Sequence, residues 1–312
     1  MTYMVNKNTF YSNGKLLITG EYLVLNGAKA LALPTKFGQY LRVSSCVERK
    51  IFWTSLDADK SVWFETEFTF DEIRTAKNFQ EEHLIKHTLV EILHQAHLQN
   101  PNFLTSETGY IIETEVTFPR NWGLGTSSTL INNIAQWLQI DAFELLRKSF
   151  GGSGYDIACA SNNFPITYQL DENEKPIVEV VDFYPKYKEN IYFVYLNKKQ
   201  NSRHAIQNYM NKQQFLTKKT ATISEITNRM LLSPNLETTK DLLVHHEIIL
   251  SDILELETVK ERLFSDFKGT IKSLGAWGGD FVMVLSKENP THYFHLKGYE
   301  TILTYDEMIL FK

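Results

Sequence analysis

The sequence predicts an α+β protein built from two domains. Its 312 residues are about twice the roughly 150 residues of a typical domain. Short alternating or β-branched stretches, which are typical of strands, occur in both halves, and so do stretches with the apolar period of a helix. Because strands and helices mix without a regular strand–helix alternation, two α+β layers are favoured over a doubly wound parallel sheet.

The N-terminal half begins with strands and then turns helical. Residues 8–68 are mostly β in character, with a run rich in Leu, Ile and Val at residues 15–25. Residues 80–99 predict a helix, because a set of apolar residues falls on one side of a wheel at about 100° per residue. That set is Leu84, Ile85, Leu89, Ile92, Leu93 and Ala96.

The middle of the chain alternates between strand and helix signals. Residues 109–118 alternate like a half-buried strand and end at Pro119. Helices are expected over about 127–140, over 141–150 with Asp141 as the N-cap, and from near Ser153 onward. Short strands are expected at 165–170 and 177–181.

A charged, weakly patterned segment at residues 171–188 places the domain boundary near residue 188. The expected domains are therefore residues 1–188 and 189–312. The elements predicted in the second domain are a strand at 191–197, helices at about 202–214, 216–232, 237–254 and 257–268, and strands near 280–286, 292–296 and 301–305.

Composition excludes several classes of protein. The net charge of −5 argues against a general nucleic-acid binder, whose affinity depends on basic patches. No apolar run reaches the roughly 18 residues of a membrane span, and the polar N-terminus lacks the apolar core of a signal peptide. With only Cys46 and Cys159, a reduced, cytoplasmic compartment is the natural interpretation.

Glycine is scarce but clustered. The chain has 15 glycines, about 5% where roughly 7% is usual, and most of them fall in four short groups. These groups are Gly14, Gly20 and Gly27; Gly123 and Gly125; Gly151, Gly152 and Gly154; and Gly275, Gly278 and Gly279. A chain that avoids glycine elsewhere needs it at these turns.

The second group lies in NWGLGTSST, between a predicted strand and a predicted helix. Glycines there allow a tight turn and close approach of a ligand, and four hydroxyls follow at the start of the helix, where free N–H groups and the helix dipole favour anions. The segment lacks the Gly-Lys-[Ser/Thr] end of a Walker A loop and the third glycine of the Rossmann fingerprint. A helix N-cap without a ligand remains the alternative.

The other three groups each bring one residue of chemical interest. Asp156 lies in an apolar helical run, where a carboxylate is costly unless it is paired or used; a solvent-facing residue that stabilises the helix dipole is the alternative. Lys15 starts an otherwise apolar strand, and its ammonium either points into a cleft or is solvated at the end of the strand. The segment SLGAWGGD predicts a loop that covers a phosphate or substrate, or a plain tight turn.

Taken together and in this order, the four groups resemble the GHMP kinase superfamily, which includes galactokinase, homoserine kinase, mevalonate kinase and phosphomevalonate kinase. The motifs that carry the resemblance are NGKLLITGEYLVLNGAKALALP, GLGTSST, SGYDIACA and LGAWGGD. The resemblance implies the GHMP kinase fold: an N-terminal domain like ribosomal protein S5 domain 2 and a ferredoxin-like C-terminal domain, with ATP in the cleft between them.

Within the superfamily, Gly20-Glu21-Tyr22 and Gly152-Ser153-Gly154-Tyr155-Asp156 look most like the phosphomevalonate kinase branch, and the Gly-Tyr-Asp-Ile-Ala string resembles a compact bacterial group. Three residues depart from the family pattern: Asn13 replaces a proline, Thr126 replaces a serine, and Trp277 fills a position usually held by a small residue. Glu144 lies near the place of a metal-binding glutamate of mevalonate kinases, but its spacing is one residue off.

The resemblance implies residue roles. Asp156 and Lys15 would be catalytic, and Ser127 would bind Mg²⁺. The implied ATP-binding residues are Gly123, Leu124, Gly125, Thr126, Ser127, Ser128 and Thr129. The implied substrate-binding residues are Glu21, Ser153, Gly154, Tyr155, Arg203, Gly275, Gly278 and Gly279. Arg203 belongs with Lys198 and Lys199 to a basic group that is either an anion site or a solvated face.

The function implied is an ATP-dependent kinase of small molecules, with ATP and Mg²⁺ as cofactors. It would transfer the γ-phosphoryl group to an acidic acceptor, and phosphomevalonate and mevalonate are the leading candidates for that acceptor. The alternatives are homoserine or a sugar as acceptor, decarboxylation of diphosphomevalonate, and a catalytically inactive binding module. The expected partner is a small acidic substrate, with neither nucleic acid nor membrane, and the chain is expected to act as a monomer or a homodimer.

Overall fold

A computed structural model of the chain describes residues 7–76, 84–199, 209, 216–275, 277 and 279–311. Its strands are β1 (Asn8–Thr19), β2 (Ala30–Cys46), β3 (Lys50–Leu56), β4 (Val62–Thr69), β5 (Gly109–Val116), β6 (Ile166–Leu170), β7 (Pro176–Val180), β8 (Ile191–Tyr195), β9 (Thr270–Ser273), β10 (Phe281–Leu285) and β11 (Ile302–Thr304). Its α-helices are α1 (Phe70–Thr75), α2 (Leu84–Gln99), α3 (Thr126–Leu138), α4 (Ala142–Ser149), α5 (Tyr155–Ala160), α6 (Thr217–Leu231), α7 (Leu236–Leu254), α8 (Val259–Leu263), α9 (Thr291–Leu296) and α10 (Tyr305–Met308).

The chain forms two compact units that are not continuous in sequence. The first comprises Met1–Gly14, Phe37–Arg120 and Gly125–Ser161, and the second comprises Lys15–Lys36, Asn121–Leu124 and Asn162–Lys312. Strands β1 and β2 are therefore divided, each contributing one part to each unit. The boundary expected near residue 188 stays a prediction about domains.

The first unit packs helices on a sheet. Its strands run in the order β4-β3-β5-β2, with β3 and β5 parallel and the other neighbours antiparallel. Alternate residues of β3 and β5 point into a core that also takes the apolar sides of α2, α3 and α4, because the period of two in strands and the longer period in helices both place apolar groups inward. Trp53, Ile112 and Ile134 are among its buried members.

The second unit contains a sheet of four antiparallel strands in the order β11-β8-β10-β9. In the same unit β6 pairs with the first residues of β2 and with β7. Helix α7 packs against α6 and β9. A separate apolar cluster around Val194, Phe264 and Val284 forms the core beside the four-stranded sheet.

These elements confirm the α+β fold class. Residues 109–116 are a strand, Asp141 caps α4 by accepting from the N–H groups of Phe143 and Glu144, and α3 covers most of the helix expected at 127–140. The helix expected at 202–214 lies almost wholly outside the described residues.

The apolar side of α2 is buried only from Leu89 onward, and Leu84, by 70%, and Ile85 are exposed at its first described turn. Two expectations were wrong. Residues 292–296 form helix α9 instead of a strand, following Pro290, which fits a helix start because its ring fixes φ. The expected helix at 257–268 is confined to the short α8.

No helix in the described part of the chain has both the length and the apolar character needed to cross a lipid bilayer.

Candidate active site

The start of helix α3 has the properties of an anion site. Gly125 is its N-cap in the left-handed region, with φ of 94°, a conformation that glycine adopts at little cost. The first N–H group paired within the helix is that of Thr129, which donates to the Gly125 carbonyl at 3.0 Å. The N–H groups of the residues before Thr129 make no bond of this kind, and none of the residues in the first turn is itself acidic, so the positive end of the dipole attracts an anion from outside the helix.

The hydroxyls of this first turn point in different directions. Thr129 is buried and donates to Gln39 Oε1 at 2.7 Å, which anchors the turn to β2. Ser128 is only 4% exposed and its Oγ donates to Oδ2 of Asp156. Ser127 is exposed. Of the two serines, Ser127 therefore presents its hydroxyl to solvent, and Ser128 uses its own on the aspartate.

Asp156 lies at the second residue of helix α5. Its Oδ1 accepts from the N–H group of Ile157 at 3.1 Å and its Oδ2 accepts from Ser128. Gly154, at φ of 88°, is the N-cap of α5. The carboxylate is thus half-buried and oriented by a donor on each oxygen, and the bond from Ser128 joins the start of α3 to the start of α5 within the first unit.

The segment 121–124 of the second unit is held by strand and loop residues. The Lys15 N–H group donates to the Leu124 carbonyl at 3.0 Å, and the Lys15 ammonium lies 3.4 Å from the Gly123 carbonyl oxygen. From the four-stranded sheet, Tyr195 donates its hydroxyl to the Asn121 carbonyl at 3.0 Å. These bonds fix the backbone that leads into α3.

Gly123 is required at its position for two reasons. Its φ of +70° lies in the left-handed region, and a Cβ there would lie 2.6 Å from Oδ2 of Asp280. Asp280 is itself buried and has a φ of 53°. The first glycine of GLGTSST is therefore packed directly against the aspartate that ends SLGAWGGD, and sequence reasoning did not anticipate this contact.

Glu21 follows a glycine that nothing larger could replace, since a Cβ on Gly20 would lie 2.7 Å from the Cβ of Ala30. The Glu21 carboxylate is 1% exposed and pairs with the ammonium of Lys272. Burial raises the pKa of Glu21 to about 7 against the opposing effect of Lys272. Because its carboxylate is buried and paired with Lys272, Glu21 could affect a bound ligand only through the residues that surround it.

Trp277 has its side chain turned into the second unit. It is buried, and its Nε1 donates to Oε1 of Glu247 at 3.3 Å. Glu247 and the adjacent His246 lie on α7, and neither was a candidate from the sequence. A weak signal for this cluster did exist, because Lys272 is the only charged residue in the stretch TIKSL, which precedes the fourth glycine group.

The remaining candidates lie at turns. Ser153 and Tyr155 flank Gly154 and are half-buried. Gly275, at φ of +67°, and Gly279 belong to the turn between β9 and β10. Arg203 and Gly278 lie outside the described residues. The Glu144 carboxylate pairs with Lys148 on α4 at 2.8 Å. The roles of all these residues stay predictions.

The donor set fits nucleotide-bound Mg²⁺ better than a metal held by protein alone. Among the described residues no group of three or more His, Cys, Asp or Glu side chains could hold a metal ion. Mg²⁺ characteristically keeps waters and phosphate oxygens and takes few protein oxygens. The exposed Ser127 hydroxyl at the start of α3 is consistent with such a ligand.

No protein-family model matches the sequence, and no curated protein is similar enough to match it. Solved structures match well, and they show the fold: the chain has the fold of the GHMP kinases, as the resemblance implied. Because the sequence identities are low, this likeness concerns the fold.

Three of these structures are particularly informative. Mevalonate kinase of Methanococcus jannaschii is 14% identical and has a TM-score of 0.71, with 98% of this chain and 99% of that chain covered. Phosphomevalonate kinase of Streptococcus pneumoniae, in complex with phosphomevalonate and AMPPNP, is 17% identical, with a TM-score of 0.69 and coverages of 95% and 99%. Galactokinase of Lactococcus lactis, complexed with galactose, is 14% identical, with a TM-score of 0.64 and coverages of 98% and 95%.

Proposed function

We propose that this protein is an ATP-dependent kinase that transfers the γ-phosphoryl group to a small acidic acceptor, with phosphomevalonate and mevalonate as the first candidates. The observation that carries the proposal is the hydrogen bond from Ser128 to Asp156. It holds a carboxylate beside the first turn of α3, where anions are favoured. The likeness in fold to mevalonate and phosphomevalonate kinases supports the choice of acceptors.

In this proposal the phosphates of ATP are held by backbone N–H groups of the loop and first turn formed by Gly123, Leu124, Gly125, Thr126, Ser127, Ser128 and Thr129. Phosphoryl transfer needs positioning and neutralisation of charge more than covalent chemistry from the protein. Ser127 is the proposed protein ligand of Mg²⁺. When bound, Mg²⁺ neutralises charge on the phosphate oxygens.

Asp156 is proposed to accept or orient the proton of the acceptor hydroxyl, a role that typically contributes 10²–10⁴-fold to rate. Lys15 is proposed to stabilise the negative charge that develops during transfer. With a phosphate group as acceptor little deprotonation is needed, so the two residues would mainly orient and neutralise.

The acceptor is proposed to bind near Glu21, Ser153, Gly154, Tyr155, Arg203, Gly275, Gly278 and Gly279. An acidic acceptor needs cationic partners, and Arg203, with the exposed Lys198 and Lys199 beside it in sequence, would supply them. We further propose a cytoplasmic enzyme with domains at 1–188 and 189–312 that acts as a monomer or homodimer without nucleic-acid or membrane partners.

The test is ADP release from ATP and Mg²⁺ in the presence of mevalonate, phosphomevalonate, homoserine or galactose in turn. Turnover with one of the first two, well above the rate without an acceptor, is the expected result. Turnover with galactose alone would favour the sugar alternative, for which the galactokinase likeness stands. Binding of AMPPNP without turnover on any acceptor would favour an inactive binding module, and release of CO₂ from diphosphomevalonate would favour the decarboxylase.

A further inference from the structure

A buried group of ionisable side chains lies in the second unit, and apart from Glu21 none of its members has been given a role so far. We call Glu21, His246, Glu247 and Lys272 the buried cluster. Each of these four residues is at most 3% exposed. They come from three places in the chain: the turn after β1, helix α7 and strand β9.

The cluster contains two carboxyl groups for one ammonium. The ammonium of Lys272 donates to Oε1 of Glu21 and to the Ser273 carbonyl and lies 3.2 Å from Oε1 of Glu247. Burial alone would lower the pKa of Lys272, but the two carboxylates outweigh this effect and raise the pKa. The ammonium therefore keeps its charge. With both carboxylates ionised the cluster would carry a net negative charge in a site without solvent, which is costly.

His246 does not supply the missing positive charge. Its Nε2 accepts a hydrogen bond from the Gly20 N–H group at 3.0 Å, so the proton of the ring lies on Nδ1. Burial lowers the pKa of His246 well below its usual value, and Lys272 and His245 add to this effect. Neutrality therefore requires a proton on one of the carboxyl groups, and Glu21, whose pKa is raised to about 7, is the group that can hold it.

Buried polar atoms with no protein partner accompany this imbalance. Among the described residues no hydrogen bond is made by Oε2 of Glu21, Oε2 of Glu247, Nδ1 of His246 or Oγ of Ser273, although Nε2 of His246 lies 3.4 Å from Oε2 of Glu21. Unsatisfied buried polar atoms are rare in native proteins, and four adjoin one cluster. Because an unpaired buried polar group is costly, the charge of each member matters strongly in such a network.

The cluster connects two turns that the proposed function gives to the acceptor. His246 holds the backbone of Gly20, and Lys272 holds the side chain of Glu21. Glu247 accepts from the indole of Trp277, which lies in the turn between β9 and β10. A continuous set of polar contacts thus runs from the Gly20–Glu21 turn through α7 to the glycine-rich turn around Trp277.

We propose that Glu247 is a positioning residue, whose charged carboxylate holds the Trp277 turn in register with the Gly20–Glu21 turn while the neighbouring Glu21 carboxyl group holds a proton. That this turn contributes to binding an acceptor rests on the proposed function, whereas the positioning of the turn by Glu247 does not. The charged or titratable groups that face the proton on Glu21 are Lys272 from β9 and Glu247 and His246 from α7, with His245 acting on His246.

The variant that tests this is Glu247→Gln, which keeps the size and the carbonyl acceptor but removes the charge. Its control is Asp252→Asn, the same kind of change on the same helix at an exposed residue that pairs with Lys219. Amide hydrogen exchange of the peptide covering 274–280 is measured in the substrate-free protein. We expect roughly tenfold faster exchange in Glu247→Gln, corresponding to the loss of hydrogen bonds to a charged group, and no change in Asp252→Asn.

A second readout follows the proton itself. Carbon-13 NMR of labelled glutamate carboxyl groups should show one titration near neutral pH that disappears in Glu21→Gln. In Glu247→Gln this titration should move to lower pH, because a neighbouring like charge has been removed. A residue with a merely structural role would not move it. Glu247→Asp, which keeps the charge, should restore much of the wild-type behaviour.

Trp277→Phe keeps the test decisive if Glu247→Gln does not fold, because it removes the indole donor without changing any charge. It should speed exchange at 274–280 and leave the Glu21 titration in place. If an acceptor is found, Glu247→Gln should also raise its KM roughly tenfold with a smaller change in kcat. Exchange at 274–280 in Glu247→Gln that is no faster than in Asp252→Asn, or a titration that does not move, overturns the proposal. Absence of turnover in the wild type would count against the kinase function alone.

Discussion

The hydroxyl of Ser128 donates a hydrogen bond to Oδ2 of Asp156, joining the first turn of α3 to the start of α5 within the first unit. The second oxygen of the carboxylate accepts from the backbone of Ile157. The proposed base is thus oriented by the same glycine- and hydroxyl-rich segment that is proposed to bind phosphate. Ser128 stands after the Thr126-Ser127 pair that matches the Ser-Ser pair of the family motif.

Removing this hydroxyl should slow catalysis with little effect on nucleotide binding. Ser128→Ala leaves one oxygen of a half-buried carboxylate without its donor, and a hydrogen bond to a charged group contributes about 1.5 kcal/mol or more. We expect kcat to fall roughly tenfold while the affinity for AMPPNP stays within about twofold. Ser149→Ala, which removes a hydroxyl bonded to its own helix at the Leu145 carbonyl, serves as the control. A rate equal to that of the control would remove Ser128 from its orienting role.

Two glycine variants should separate backbone strain from collision. Gly123 and Gly151 have nearly the same φ, +70° and +72°, but a Cβ on Gly151 meets nothing within 4 Å, whereas one on Gly123 meets the Asp280 carboxylate. Gly151→Ala should cost only the positive-φ strain, about 1–2 kcal/mol. Gly123→Ala should destabilise the protein clearly more, as measured by urea denaturation. Equal losses would show that Asp280 can move aside freely.

The buried cluster predicts an asymmetry between its members. Lys272→Met leaves two buried carboxyl groups without a counter-ion, and breaking a buried pair in this way costs about 3–5 kcal/mol. Glu21→Gln leaves Lys272 paired with Glu247, so its cost should be much smaller. Denaturation at pH 7 measures both losses. A Glu21→Gln variant as unstable as Lys272→Met would mean that the cluster does not have an excess of acid.

The raised pKa of Glu21 predicts that the stability of the protein depends on pH. Burial raises the pKa of Glu21 to about 7, above its usual value in an unfolded chain, so the folded state binds the extra proton in between. Its contribution to the free energy of unfolding is present below the unfolded pKa and is lost as the pH rises to about 7. The wild-type free energy of unfolding minus that of Glu21→Gln should therefore decrease between about pH 5 and 7. A flat or rising difference would contradict the assignment.

Periodicity in the sequence was sufficient for the central elements of the site. The alternation at 109–118 and the apolar period after Gly125 predicted the strand and the helix on either side of the phosphate-binding candidate, because those signals are local. The exposure of Leu84 and Ile85 was not predictable in this way, since a helical wheel shows which residues share a side but not where the covering layer ends. The HYFHL segment fits a strand pattern only if Pro290 is ignored as a helix start.

The buried cluster could not be assembled from local patterns. Glu21, Glu247 and Lys272 lie far apart in sequence, and the fold brings them together. His246 and Glu247 are adjacent on a helix that is otherwise unremarkable in pattern, so nothing in their spacing identifies a partner. The packing of Gly123 against Asp280 is hidden for the same reason, although both residues lie in motifs that the sequence singled out.

The central claim, that Asp156 serves phosphoryl transfer from ATP, is tested most directly by comparing the wild type with Asp156→Asn. ADP release with mevalonate and phosphomevalonate is measured beside the affinity for AMPPNP. The account predicts turnover by the wild type and a loss of at least about 100-fold in kcat for Asp156→Asn, with nucleotide affinity retained. Unchanged turnover in Asp156→Asn would contradict it.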